Sequence, residues 1–411
     1  MTSQNSEAVA HLLSASAVRR QTRRVFELAK ADGLAHFRLD LPRLPALARE
    51  VAAVTKQAYP TLEVPFHARW RHFCHAGRDR WMALDHQTHW GDSAERARAA
   101  FDLVIVSVLL DAGAGEFWRY RDPTDGAGVG RSEGLALASF DMVASGMFSS
   151  DPSRPILVDA ERLIALSEGD LARGFQIRAD NPIEGLNGRV HLLNSLGEAL
   201  RANPAMCDPQ GIKRPGALFD VLVRSDPTTI AAPDILSAIL THFGPIWPSR
   251  LTLGGIGLGD TWTLPQLADG SETGAFIPFH KLSQWLSYSL IEPLQAAGLT
   301  VSAIEGLTGL AEYRNGGLFL DGGAILPKDA AILEQSHRPD STVIVEWRAL
   351  TVVLLDEIAP LVRATLGVDE QDFPLARVLE GGTWATGRKL ARERRANGGP
   401  PLRILSDGTV F

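Results

Sequence analysis

The stretch Pro278-Phe279-His280-Lys281-Leu282-Ser283-Gln284-Trp285-Leu286-Ser287-Tyr288-Ser289-Leu290, followed by Gly298, sets the architecture of this chain. Pro278 suits a first helical position, where its missing N–H would have no partner anyway, and Gly298 supplies a stop. Between them Leu282, Leu286 and Leu290 recur at i, i+4 and i+8 and predict an apolar stripe. Lys281, Gln284 and Tyr288 share another face, one able to address a site. Pro293 removes a backbone donor and predicts a kink or a shortened last turn. Beyond a short connection comes Gly309-Leu310-Ala311-Glu312-Tyr313-Arg314-Asn315-Gly316-Gly317, where Leu307 to Tyr313 reads as a helical run broken by the paired glycines. On that reading Glu312 lies near a helix C-terminus, the dipole gives its carboxylate no help, and Arg314 or Lys281 has to partner it. The plain alternative for Glu-Tyr-Arg is a surface ion pair beside a packed ring.

The same spacing recurs outward from this region. Ser6 to Ala31, Leu44 to Gln57, Ala94 to Ala112, Glu161 to Leu166, Glu184 to Arg201, Pro233 to Phe243 and Trp347 to Leu366 read as helices, the last interrupted by Pro360. Ala94 to Ala112 is apolar on all sides and is expected at the centre of the core. Thr342-Val343-Ile344-Val345 reads either as a short strand or as the first turn of the helix after it. The expected class is mainly α, multi-helical, with a few short strands. No repeat, low-complexity tract or long charge run divides the 411 residues, so a single helical domain over 1–411 is expected. Within it, 1–58 would be an N-terminal helical extension and 59–411 the core with the site.

A formal net charge of −7 argues against a nucleic-acid backbone as the main partner. Two cysteines, Cys74 and Cys207, do not make a disulfide framework and fit a reducing cytoplasm. Met1 to Gln21 carries no apolar signal core, and the run Leu103 to Leu110 is far shorter than the ~20 residues that span a bilayer.

Four further features bear on chemistry. His67, His72, Cys74, His75, His86 and His89 are all metal-capable, yet their spacing matches no closed zinc site and Arg69, Arg71, Arg78 and Arg80 crowd the same segment. Arg69 and His72 are therefore read as anion ligands or as members of a structural ion-pair network. Glu116-Phe117-Trp118-Arg119-Tyr120-Arg121 offers rings on which a planar base or ureido group can stack, with Arg121 or Arg131 reaching an anion; the alternative is that the rings close the core. Leu251-Thr252-Leu253-Gly254-Gly255-Ile256-Gly257-Leu258-Gly259-Asp260-Thr261-Trp262 is a glycine-rich turn that lacks the Gly-Lys-Ser/Thr of a P-loop, with Asp260 and Trp262 as pocket candidates. Glu346-Trp347-Arg348 is most simply a structural pair supporting the site from behind.

Across nearly its whole length, including Phe66-His67-Ala68-Arg69-Trp70-Arg71-His72-Phe73, the chain resembles the uracil-catabolism proteins of fungi and bacteria. After about residue 275 it also resembles, more distantly, the queuosine-salvage nucleotide glycosylases, whose fold is similar to that of helical DNA glycosylases. In those enzymes the matching stretches read Tyr-Lys-Arg-Ala-Gln and Ala-Asp-Tyr-Arg, the Asp being the catalytic carboxylate. Here they read His280-Lys281-Leu282-Ser283-Gln284 and Ala311-Glu312-Tyr313-Arg314. Glu stands for Asp, and Asn315-Gly316-Gly317 stands for Val-Pro-Gln, so the substrate is not carried over. The Leu-Gly-Gly-Ile-Gly core also resembles the hairpin of helix-hairpin-helix DNA-binding proteins, and Glu346-Trp347-Arg348 resembles a Glu-Ile-Arg stretch of the glycosylases.

What these resemblances imply is an N-glycoside hydrolase acting on a uracil-derived ribonucleotide or its ring-opened ribosylurea phosphate. Glu312, Lys281 and Tyr313 would be catalytic, with His280, Gln284 and Arg314 beside the substrate. Departure of an N-linked group from C1′ builds positive charge on the sugar, which a carboxylate stabilises without metal or redox cofactor. The partner is then a small phosphorylated ribosyl compound, neither nucleic acid nor membrane. A nucleic-acid glycosylase would explain the glycine hairpin, and a non-catalytic nucleotide-binding protein would explain an aromatic pocket without Glu312.

Overall fold

Helices carry most of the chain, and every strand among the described residues is only two or three residues long. The computed structural model describes residues 3–247 and 251–405. The fold is mainly α, as the helical spacing predicts. The described residues fall into two compact units, one made of 3–67, 251–284 and 303–405, the other of 68–247 and 285–302. No helix among them is long and apolar enough to cross a membrane.

In the first unit the helix Thr342–Leu366 is buried from Val343 to Leu355 and packs against Ala15–Lys30, Leu44–Ala58 and Tyr313–Asp321. Its β-branched start, Thr342 to Val345, is the first helical turn and not a strand. The helix expected over Ser6 to Ala31 is two helices, Ser3–Leu12 and Ala15–Lys30, because Ser14 turns its hydroxyl onto the Ala17 N–H at 3.2 Å and starts a new one. The glycine stretch is a β-hairpin, Thr252–Leu253 paired with Ile256–Gly257, turned by Gly254 and Gly255 at φ +58° and +81°. It runs into the strand Thr261–Thr263, and its Leu253 and Leu258 pack with Val9 and Leu12 of the first helix. Its role is to clasp that helix.

Two expectations fail around the opening stretch. Pro278 ends the strand Phe276–Pro278, paired antiparallel with Thr261–Thr263, so the helix begins at Lys281; a residue without an N–H is tolerated at such a strand end. The helix continues through Pro293 to Ala296 and stops at Gly298, at φ +89°, as predicted. The second failure is larger: Leu307 to Glu312 is not helical, and Tyr313–Asp321 is a helix that contains Gly316 and Gly317. These glycines permit close packing. A Cβ on Gly316 would lie 2.6 Å from the Trp347 ring, and one on Gly387, in the neighbouring helix Trp384–Arg394, 2.1 Å from the Arg314 carbonyl. Gly316→Ala is expected to cost about 1–3 kcal/mol by overpacking, measurable as a lower urea midpoint with unchanged m-value.

The second unit is organised on the helix Ser93–Leu109, buried from Ala97 to Leu109 as its apolar pattern predicts, and packed against Arg131–Ala144, Leu186–Ala202 and Ala217–Ser225. A charge network crosses it. Arg214 pairs with Asp102 at 2.6 Å, Glu95 at 2.8 Å and Asp208 at 3.3 Å, and Arg98 pairs with Asp220 at 2.8 Å.

Candidate active site

Glu312 is the N-cap of the helix Tyr313–Asp321, not a residue at a helix C-terminus. One carboxylate oxygen accepts the Arg314 N–H at 2.8 Å and the other the Asn315 N–H at 2.5 Å. The positive end of the helix therefore faces the carboxylate, and no Arg or Lys partner is needed to hold it. Among the described residues no donor fills the other two of its roughly four acceptor sites. Asn315 is fixed in turn, donating to the Leu310 carbonyl at 3.3 Å and accepting from the Thr383 hydroxyl at 2.9 Å.

Asp260 behaves differently. Its four acceptor sites are filled by Arg348 twice, at 2.7 and 2.8 Å, by the Trp262 indole at 2.7 Å and by the Lys281 backbone N–H at 2.9 Å. Burial pushes its carboxyl up, but the Arg348 guanidinium outweighs burial and holds it well below the usual carboxylate range. Arg348 also donates to the Ala311 carbonyl at 3.3 Å and lies over the Phe279 ring at 4.1 Å. One ion pair thus fixes the backbone of both Lys281 and Ala311, the residue before Glu312. Asp260 positions the site and has no acceptor left for a ligand.

Gln284 is likewise committed. Its amide oxygen accepts the Thr308 N–H at 2.8 Å and its NH₂ donates to the Phe279 carbonyl at 3.2 Å, latching the segment before Glu312 to the helix start. In Glu346-Trp347-Arg348 each member ties a neighbour: Glu346 accepts the Ala35 and His36 N–H groups at 3.0 Å, and Trp347 donates to the Gly316 carbonyl at 3.0 Å.

His280, at φ +47°, is buried and donates from Nε2 to the Leu12 carbonyl at 2.9 Å, while Nδ1 has no partner among the described residues. Burial pushes the imidazole below its usual value, with Arg348 adding to the effect and the Leu12 bond and Asp260 opposing it. The unfolded chain therefore binds this proton at higher pH than the folded one. The stability that neutral His280 contributes is present above about pH 6.5 and is lost as pH falls below it. Urea melts from pH 7.5 to 5.5 are expected to fall more steeply for the wild type than for His280→Gln, which retains a donor and does not titrate.

The Arg314 guanidinium lies over two rings, Tyr313 at 4.9 Å and Trp384 at 4.8 Å. Arg388 lies 5.5 Å from the same Trp384 ring and His67 has its ring centre 6.3 Å from it. His67 Nδ1 is 2.7 Å from Glu380, whose other oxygen accepts from Tyr59 at 3.4 Å. Trp384 follows a π-helical turn, Leu379–Thr383, in which its N–H bonds the Leu379 carbonyl five residues back. Such turns recur at functional sites. The sequence reading missed Trp384 and Arg388. The signal was there in Gly381-Gly382-Thr383-Trp384 and Gly387, small residues at close-packing intervals beside a tryptophan.

The other site candidates lie in the second unit. Arg69 is fully buried, paired with Asp111 at 2.7 Å and donating to the Ser132 and Ser107 carbonyls at 2.8 and 3.1 Å, with its guanidinium over Trp285. His72 Nδ1 is 3.2 Å from Arg69. Arg69 belongs to the structural network: its terminal nitrogens are engaged, while Nε has no partner among the described residues. Trp118 is fully buried, donates to the Phe175 carbonyl at 2.9 Å and shows no face to a ligand, while Phe117 beside it is 76% exposed. Arg121 is an exposed strand residue, and Arg131, at φ +60°, starts the helix Arg131–Ala144. Among the described residues, His75, Asp122 and Asp125 place ligand atoms within 4.8 Å of one another, spacing a metal can use. Asp122 is already paired with Arg80 at 2.6 Å.

Comparison with known proteins now places the chain. Residues 11–411 match the family described as "Protein of unknown function (DUF1688)", and the chain belongs to that family. It is 39% identical to "Protein urg3" of Schizosaccharomyces pombe, over 99% of this chain and 100% of that protein. It is 36% identical to "Uracil catabolism protein 4" of Lachancea kluyveri, over 98% of this chain and 99% of that protein.

Proposed function

We propose that this protein acts in uracil catabolism as an N-glycoside hydrolase, cleaving a uracil-derived ribonucleotide or its ring-opened ribosylurea phosphate. The printed name of the Lachancea kluyveri relative supports the pathway. The single observation that carries the chemistry is the contrast between two buried carboxylates: Asp260 has every acceptor site filled, whereas Glu312, among the described residues, has half of them open. A residue needed only as a cap would be Ser, Thr, Asp or Asn, and Glu is not among the preferred caps. Held against the helix N-terminus, the Glu312 carboxylate stabilises positive charge developing at C1′ and orients the water that attacks there. The C1′–N bond breaks toward nitrogen as Lys281 protonates the departing nitrogen, water adds its hydroxyl to C1′ and returns its spare proton to Lys281, and urea or uracil leaves. Lys281 and Tyr313 complete the catalytic set, Lys281 as proton donor to the leaving nitrogen and Tyr313 as a wall beside the sugar. Incubation of the full-length protein with ribosylurea 5′-phosphate is expected to release urea and ribose 5-phosphate. Binding without release would reassign it as a non-catalytic nucleotide-binding protein.

A further inference from the structure

We propose that the N-terminal helix Ser3–Leu12 is a strap that holds the catalytic residues in register, and that His280 is the positioning residue through which it acts. The turnover it governs rests on the hydrolase reading; the mechanical coupling does not. His280 joins the strand Phe276–Pro278 to the helix Lys281–Ala296 at φ +47°, a conformation that an L side chain adopts at a cost and keeps only where its surroundings hold it. A residue needed only to start that helix would be Ser, Thr, Asp or Asn. His280 gives its carbonyl to the Gln284 N–H at 2.8 Å, but its imidazole reaches 268 positions back along the chain to the Leu12 carbonyl. With Nδ1 unpaired among the described residues, that bond is the ring's one polar tether. Leu12 ends its helix, and the last carbonyls of a helix have no partner within it, so each group supplies what the other lacks.

Both neighbours of His280 are tied to the site. Phe279 donates its N–H to the Asp260 carbonyl at 2.9 Å, and Lys281 donates its own to the Asp260 carboxylate at 2.9 Å. The same carboxylate holds Arg348, which reaches the Ala311 carbonyl beside Glu312. The strap's other grip is apolar: Val9 and Leu12 pack on Leu253 and Leu258, and the chain passes from Leu258 to Asp260 within two residues. The helix therefore bears on the Asp260 segment from the hairpin side and on Lys281 through His280. The first helix of the expected N-terminal extension is thereby a working part of the site.

Two variants loosen the strap at different points. His280→Asn keeps an amide and a residue type tolerant of positive φ but is too short to reach Leu12, and Val9→Ser weakens the apolar grip while leaving His280 in place. Hydrogen exchange of the full-length protein, read by mass spectrometry, is expected to be at least about fivefold faster over residues 3–12 in both, with faster exchange also at 279–281 and 311–316. Urea release from ribosylurea 5′-phosphate is expected to fall about tenfold in kcat with KM little changed, a loss of positioning and not of affinity. His280→Gln, whose amide reaches about as far as Nε2, should restore both readouts toward the wild type. Faster exchange over 3–12 with none at 279–281 and 311–316 overturns the proposal. So does full turnover with the helix loose, or a His280→Gln no better than His280→Asn. Should His280→Asn fail to fold, Val9→Ser decides by the same measurements. If the wild type releases no urea while the helix and the two segments still loosen together, the hydrolase reading fails and the coupling stands. If urea is released and the segments ignore the helix, only the strap fails.

Discussion

Glu312→Gln is expected to bind ribosylurea 5′-phosphate as the wild type does and to release urea ~10²–10³-fold more slowly, the loss that follows removal of one key electrostatic contact at a reacting centre. The amide is isosteric and can still accept one of the two N–H groups that Glu312 holds, at Arg314 and Asn315. The other meets an NH₂, so a stability loss of about 1 kcal/mol accompanies the change and sets the scale for a capping effect. Glu312→Asp separates the two roles. Asp is the better cap, so this variant should be at least as stable as the wild type, yet its carboxylate is withdrawn by one methylene and turnover should fall. Single-turnover rates beside urea melts distinguish the outcomes. If both variants release urea at the wild-type rate, the carboxylate is a cap and nothing more.

Arg214→Met is expected to cost about 3–5 kcal/mol, because it strands carboxylates that the fold cannot expose. Asp102 and Asp208 are both buried, and Asp102 also accepts the Gly216 N–H at 2.6 Å. Burial pushes the Asp102 carboxyl up to about 6 even against the attraction of Arg214. Its folded value lies above the unfolded one, so the folded state binds more protons between about pH 4 and 6, and this group's contribution to stability declines as pH rises through that window. Without Arg214 the charged form is disfavoured further. The destabilisation should therefore be smaller at pH 5 than at pH 8, a difference that urea melts at the two values will resolve. Equal losses at both would mean that packing of the Arg214 stem dominates.

Helical class was legible because period-3.6 spacing survives wherever a helix has one buried face, as in Leu44–Ala58 and Ala232–Phe243. It misled at Leu307 to Glu312, where the segment is irregular and buried at every position, so its apolar residues carry no period. The true helix was hidden because its cap is a Glu and its second turn holds Gly316 and Gly317, which normally end helices and here let Trp347 approach. Glu312, Lys281 and Arg314 were visible as residue types at motif spacing. Whether a side chain still has bonds to give was not visible. Asp260 and Gln284 are chemically apt yet fully committed to tertiary partners far away in sequence, and Arg314 is stacked on the Trp384 ring. Trp384 and Arg388 follow a π-helical turn, whose five-residue hydrogen bond no period-3.6 reading picks out.

That turn, Leu379–Thr383, amounts to one additional residue inserted into an otherwise continuous helix. Each residue advances an α-helix by about 100°, so the insertion acts as an angular offset for everything after it. Deleting one of Gly381 or Gly382 would leave composition, charge and both neighbouring helices nearly untouched. It would also swing Trp384, Gly387 and Arg388 around the barrel of the helix by more than a quarter of a revolution. The direction in which this face of the protein looks is therefore encoded as a count of residues.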